Sequence, residues 1–274
     1  MRRSPNIHRH ESYFILPSKS LIAMKNLKTI GFSFLLAAAF GATAFCQSTR
    51  SSEQSLVVNF LQIKEGLNHG LVFRGFGLQY QRLWEWENDQ RLVSYEAGIG
   101  LAAPTSRGII GAQLHLLPGR VSYLRKTGGV RDLAAGLFFT GEYNYQMYPD
   151  LQSGYSFWLT HYSVGGALAY PFEAGGQLFE VKFRTTLLGA TSRPEVERGE
   201  YFFDASLGDM VRYLHQDFQF GTWNRYNQTG LEIRWQPKAD ARLAFAYGMN
   251  YYGYFKQPRL TMIDQSLKLI FLPK

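Results

Sequence analysis

The sequence predicts an all-β chain that closes into a transmembrane antiparallel up-and-down β-barrel of about ten strands (roughly 8 to 12), preceded by a cleaved signal peptide. Three observations predict it. From Gln47 onward the chain is a series of short segments that alternate apolar with polar residues and are cut by turn formers. The joins between segments alternate between short and long, and aromatic residues gather near the segment ends.

The leader sets the compartment. Lys25 and Lys28 form a positive n-region, and the run from Ile30 to Phe45 is rich in Ala, Phe and Leu. That run is short for a helical span of ~20 residues, and Ala42, Ala44 and Cys46 place small residues just ahead of Gln47. The expected division is an upstream or unstructured extension at 1–23, a signal peptide at 24–46 and a barrel at 47–274 with a long outer loop at 190–224. Cys46, the single cysteine, is either removed with the leader or lipidated. Phe45 stands where Gly or Ala precedes a lipidated cysteine, which argues for removal and leaves no thiol in the mature chain.

Charge changes meaning once the leader is set aside. The whole chain carries 29 Lys+Arg against 21 Asp+Glu. Residues 1–46 hold six of the bases and one acid, so the mature part has 23 against 20, a net +3. A nucleic-acid partner loses its main support.

Ten strand candidates follow in order, at 54–64, 71–86, 90–103, 108–124, 132–147, 156–171, 177–189, 225–236, 241–255 and 261–272. The alternation is clearest where Phe179, Val181 and Phe183 share one face and Glu180, Lys182 and Arg184 the other. Leu231, Ile233 and Trp235 alternate likewise with Glu232 and Arg234, and Leu267, Leu269 and Phe271 with Ser266 and Lys268. One side suits lipid, the other water.

The joins at Glu87 to Asp89, Lys126 to Arg131, Glu173 to Gln177 and Pro237 to Asp240 are short, whereas Glu65 to Gly70, Tyr148 to Tyr155 and Ala190 to Asn224 are longer. An even strand number puts both termini on the short-turn side. A secreted, soluble β-rich binding protein is the competing fold. It leaves unexplained the aromatics near strand ends: Trp84, Trp86, Tyr123, Tyr145, Tyr148, Trp158, Tyr170, Trp235, Tyr251, Tyr252 and Tyr254, read here as girdles at two interfaces.

The leader, the alternating segments, the aromatic rims and the closing strand Leu267-Lys268-Leu269-Ile270-Phe271 resemble the outer-membrane β-barrel proteins of Gram-negative bacteria. The resemblance is one of architecture and pattern and covers Gln47 to Lys274. It implies the cell outer membrane as location, outer-membrane lipid as surroundings, and periplasmic chaperones and the barrel-assembly machinery as partners during biogenesis. Phe271 would belong to the sorting signal, and Leu272-Pro273-Lys274 depart from the commoner terminal aromatic.

Function then lies in the lumen and the outer loops. The expected inward polar network contains Glu85, Glu96, Gln113, Glu142, Asn144, Glu180, Lys182, Arg184, Glu232, Arg234 and Lys268, with Gln79, Gln81, His115, Gln146, His161, Ser163 and Asn250 on the same face. Glu180 or Glu232 could pair with Arg184, Arg234 or Lys268 on neighbouring strands, and about ten strands enclose a lumen too narrow for a wide pore. A largely filled polar lumen with a non-enzymatic role, whether small-solute passage, structural or surface-loop binding, is the expectation. A lipid-modifying outer-membrane hydrolase is the alternative, with His115, His161 and Ser163 as weak catalytic candidates beside His69 and His215. His161 and Ser163 share a face but stand ~6 to 7 Å apart along a strand.

Ala190 to Asn224 is acidic, and Leu207, Met210, Val211 and Leu214 recur at the spacing of a short amphipathic helix that caps the mouth, binds a partner or rests on the rim. No metal and no cofactor are expected, because the acidic spacing fits no defined ligand loop. Gly98, Gly100, Gly165 and Gly166 lack the strand-turn-helix setting of a nucleotide site and are read as wall glycines that let a strand bend or admit a neighbouring aromatic.

Overall fold

Segments with one apolar and one polar face satisfy both faces, and every backbone group, only by closing on themselves. The computed structural model, which describes residues 49–66, 70–127, 133–150, 156–194, 207–257 and 259–273, shows that closure. The strands are β1 (Thr49–Glu65), β2 (Val72–Glu87), β3 (Arg91–Ser106), β4 (Ile109–Ile110), β5 (Ala112–Lys126) and β6 (Ala134–Met147). They continue with β7 (Ser156–Ala174), β8 (Gln177–Ser192), β9 (Gln219–Thr222), β10 (Tyr226–Gln236), β11 (Leu243–Tyr254) and β12 (Leu260–Phe271). A helix, α1 (Leu207–Leu214), lies between β8 and β9.

β4 continues into β5 at Gly111, and β9 into β10 past Trp223 to Arg225, so the wall is a closed barrel of ten antiparallel strands. β1 closes it against β12 from Gln54↔Phe271 to Glu65↔Leu260. The ten segments expected from the alternation are these ten strands. β1 starts at Thr49, ahead of the expected 54, because its ladder with β2 runs on through Thr49↔Glu87.

Both described ends of the chain lie at one rim, the terminal end, with the tight β2–β3 and β7–β8 turns. Asn88 Oδ1 accepts from the Gln90 and Arg91 amides at 3.0 and 2.8 Å. Gly175 and Gly176 both take positive φ, +60° and +72°, as a two-residue hairpin turn demands. The opposite rim, the loop end, carries the longer joins and one tight turn, where Arg107 and Gly108 also have positive φ.

The outward face is apolar over the middle of the wall, with Leu78 and Leu101 70% and 66% exposed. Trp84, Trp86, Tyr123, Tyr170 and Trp235 face outward toward the terminal end, where Trp235 stacks on Phe245 at 5.6 Å. Three expected girdle residues are corrected. Tyr148, Tyr252 and Tyr254 point inward and are buried, because the ladder places them in step with Gln146, Gln228 and Leu260. Trp158 faces outward but is covered, its Nε1 donating to Ser192 Oγ at 3.5 Å.

The helix read from the sequence forms as α1. The side chains of Leu207, Met210 and Val211 lie outside the described residues. His215, one residue past α1, shares hydrogen bonds through Nε2 with the hydroxyls of Tyr143 (2.8 Å) and Tyr162 (3.2 Å). Both tyrosines face outward on β6 and β7, so this end of the helical segment rests on the outside of the wall.

A charge on the lipid-facing wall separates this fold from a soluble one. Leu78→Arg should destabilise the barrel by about 2–4 kcal/mol in lipid vesicles, and Arg at the rim position Lys64 by almost nothing. Urea unfolding in vesicles, followed by heat-modifiable gel mobility, measures the difference.

Candidate functional site: the barrel lumen

The alternation that turns Leu, Phe and Trp outward obliges the other face to fill the lumen. Toward the loop end that filling is apolar and aromatic. Ile63, Phe73, Tyr148, Phe157, Leu159, Tyr226, Tyr252, Tyr254, Leu260 and Met262 form one buried cluster. Phe73 packs on Tyr148 at 4.2 Å between ring centroids, and Gly111 leaves the room: a Cβ there would stand 2.4 Å from Tyr148 Cε1. Each such side chain contributes about 1.5–3 kcal/mol by burial. Above the cluster Arg193 donates to Glu65 at 2.6 Å and lies over the Tyr254 ring.

Below it sits Glu142, completely buried. Arg120 Nη2 donates to its Oε1 at 2.5 Å, Gln228 Nε2 to the same oxygen at 2.9 Å, and Tyr252 hydroxyl to Oε2 at 3.2 Å. His115 and His161 bring their Nε2 atoms to 3.6 and 3.7 Å from Oε2. The partners come from β5, β7, β10 and β11, so one carboxylate ties opposite sides of the barrel. Arg120 spends its other arm on Glu96 at 2.7 Å.

Toward the terminal end the ties become ion pairs across the lumen. Lys182 reaches Glu180 at 3.2 Å and Glu85, on the facing strand β2, at 3.3 Å. Lys268 meets Glu232 at 2.5 Å, and Arg234 grips Glu53 with two bonds of 2.8 and 3.1 Å. Arg184 lies 3.7 Å from Glu96 and donates to Asn250 Oδ1 at 3.5 Å. A cavity of about 80 Å³ remains among these groups, lined by Glu85, Glu96, Arg120, Lys182, Arg184 and Lys268. At ~10–15 Å³ per water position it holds a handful of waters. A second cavity of about 20 Å³, beside Asn59, Gln113, His115, Asn144 and Asp264, suits a single water. Both signs of charge are interleaved, unlike the single-sign rings that select ions.

Every inward residue expected from the sequence is placed on the lumen face. Gln113 Nε2 donates to Asn144 Oδ1 at 3.1 Å, and Glu180 meets Arg234 (4.0 Å) on the neighbouring strand, whereas Glu232 reaches Lys268 past the intervening β11. Arg184 turns instead to Glu96 and Asn250. The cation paired with Glu142, Arg120, escapes strict alternation. β5 bulges between Leu116 and Gly119, which shifts the inward set from His115 and Leu117 to Arg120 and Ser122. Tyr95 hydroxyl donates to Pro118 O at 2.6 Å and its ring occupies the space that a side chain at Gly119 would take. Pro118-Gly119 inside a strand was the available signal. Glu53, Gln228 and Asp264 are also inward.

The catalytic candidates meet charges rather than a cleft. His161 donates Nε2–H to Gln228 Oε1 at 3.0 Å, and Ser163 Oγ has no hydrogen-bond partner among the described residues. Both side chains are buried, at 0% and 2% exposure. His215 is outside the barrel, and His69 lies outside the described residues. Gly98 and Gly100 admit Gln79 and Gln81 rather than aromatics, whereas Gly165 admits Phe138 beside a bulge in β8 at Leu187.

No protein-family model and no curated protein matches the chain. Among solved structures it is similar to the translocator domain of the autotransporter NalP from Neisseria meningitidis, at 8% identity and a TM-score of 0.40, over 92% of this chain and 97% of that one. The β domain of the Bordetella autotransporter BrkA gives 12% identity and a TM-score of 0.40, covering 81% and 98%. Neisserial surface protein A gives 10% and 0.32, covering 81% and 98%.

Removing one partner of a buried pair strands the other. Arg120→Met should cost about 3–5 kcal/mol, and Arg120→Met combined with Glu142→Gln should cost less than the single change. The urea midpoints of the three proteins in vesicles decide it.

Proposed function

We propose that the chain is an integral outer-membrane barrel with a non-enzymatic role, exported through its signal peptide, whose lumen does not conduct and whose loop end acts at the cell surface. The observation that carries this reading is the cross-bracing of the lumen: Glu142 is bonded from both sides of the barrel, and the aromatic cluster fills the section above it. Side chains that brace opposite walls leave space for waters rather than a path for solutes. The apolar middle of the outer wall supports the membrane setting, and both described ends at the short-turn rim support entry from the periplasm. A hydrolase needs a nucleophile in reach of a base and of lipid. Ser163 has neither, which favours the structural and surface-binding role.

Planar-bilayer recording tests it. The purified mature protein should show no steady conductance, and Phe73→Ala with Tyr148→Ala should produce discrete openings by emptying the aromatic section. Steady ohmic conductance of the unaltered protein would sink the reading.

A further inference from the structure

The outer wall changes character abruptly near the loop end of three adjacent strands. Lys64 on β1, Arg74 on β2 and Arg259, which leads into β12, all face outward and are exposed. Their register makes them neighbours. Lys64 pairs with Val72 and Gln62 with Arg74, so Lys64 and Arg74 are diagonal. Lys64 also pairs with Thr261, two residues from Arg259, whose carbonyl accepts from the Gly66 amide at 2.7 Å. Diagonal positions stand ~7–8 Å apart, within the reach of long side chains.

Three like charges so placed repel one another unless an anion lies between them. Among the described residues none has an acidic partner within ion-pair distance. The nearest acid along the chain, Glu65, points inward and is held by Arg193. Gln62, Thr261 and Thr105 add polar groups at the same level on the same wall.

Directly below, the wall turns apolar. Phe60 and Phe76 meet edge to face at 5.2 Å, with Ile263 diagonal to Phe60 and Val58, Leu78 and Leu101 further down; Gln265, opposite Phe60, is the polar exception. A compact cationic edge over an exposed apolar stripe is complementary to one kind of molecule: an amphiphile with phosphate in its headgroup and acyl chains beneath. A free anion would use the cations and leave the stripe idle; a neutral lipid would do the reverse.

We propose that Lys64, Arg74 and Arg259 bind the phosphates of the outer-leaflet glycolipid, lipid A, with its acyl chains lying along Phe60, Phe76 and Ile263. The site rests on the outer-membrane reading, since only that setting puts phosphorylated lipid A at this rim. Two arginines supply paired donors for phosphate oxygens and the lysine a compact charge between them.

Native mass spectrometry of the full mature protein in detergent, titrated with bisphosphorylated lipid A or with the same lipid stripped of its phosphates, tests the site. At about fivefold per surface cation, the bisphosphorylated form should bind on the order of 100-fold tighter, and Lys64→Gln/Arg74→Gln/Arg259→Gln should remove that preference. Arg91→Gln/Arg125→Gln, at the terminal end, should leave it intact. Equal affinity for the two lipids, or a triple variant that keeps the preference, overturns the proposal. Complete displacement by millimolar inorganic phosphate overturns the lipid and leaves an anion site. Heat-modifiable mobility of the same samples reports the barrel separately, so a folded barrel without the preference refutes the site alone.

Discussion

The structure depends on one buried carboxylate being neutralised. Glu142 has no access to water, and an unpaired charge there would cost several kcal/mol after every relaxation the protein could make. Arg120 supplies the opposing charge, and Gln228 and Tyr252 fill the remaining lone pairs from the far side of the barrel. Satisfying one group therefore fixes the spacing of four strands. The ion pairs toward the terminal end and the aromatic cluster toward the loop end are stacked on that central tie, and together they make the lumen a core rather than a channel.

Arg120 reaches that position through an irregularity. In a strand of unbroken period two, a residue five places from His115 faces the opposite side. The bulge between Leu116 and Gly119 inserts the extra step, and Tyr95 holds it from outside by its bond to Pro118. Local backbone chemistry on the lipid face thus decides which charge enters the lumen. The same logic explains why Arg184 joins Glu96 instead of a neighbouring acid: the lumen brings β8 and β3 face to face, and the sequence separation between them says nothing of it.

Tyrosine serves two environments. At the terminal end Trp235 and Tyr170 lie on the outer wall, where an amphipathic ring meets both lipid and water. At the loop end Tyr148, Tyr226, Tyr252 and Tyr254 turn inward, burying their rings in the apolar section and sending their hydroxyls to Gln146, Gln228, Glu142 and Gln219. Through Tyr148, Tyr226 and Tyr252 the phenol couples the apolar section to the polar one beneath it, while Tyr254 bonds toward the loop end. The outward Tyr143 and Tyr162 instead hold His215, which keeps the end of the helical segment against the outside of β6 and β7.

By itself the sequence determined the closed barrel, the ten strands, the sidedness of Phe179 to Arg184 and of Leu231 to Trp235, and the set of polar residues facing inward. These follow from period-two alternation and turn chemistry, which are local and written residue by residue. What only the tertiary structure decided is how that inward set connects. Arg120 needed the bulge, the four inward tyrosines needed the register at the loop end, and the ties of Glu142 to Gln228 and Tyr252 needed the barrel to close. Alternation tells a side chain which face it occupies; curvature and register tell it whom it meets.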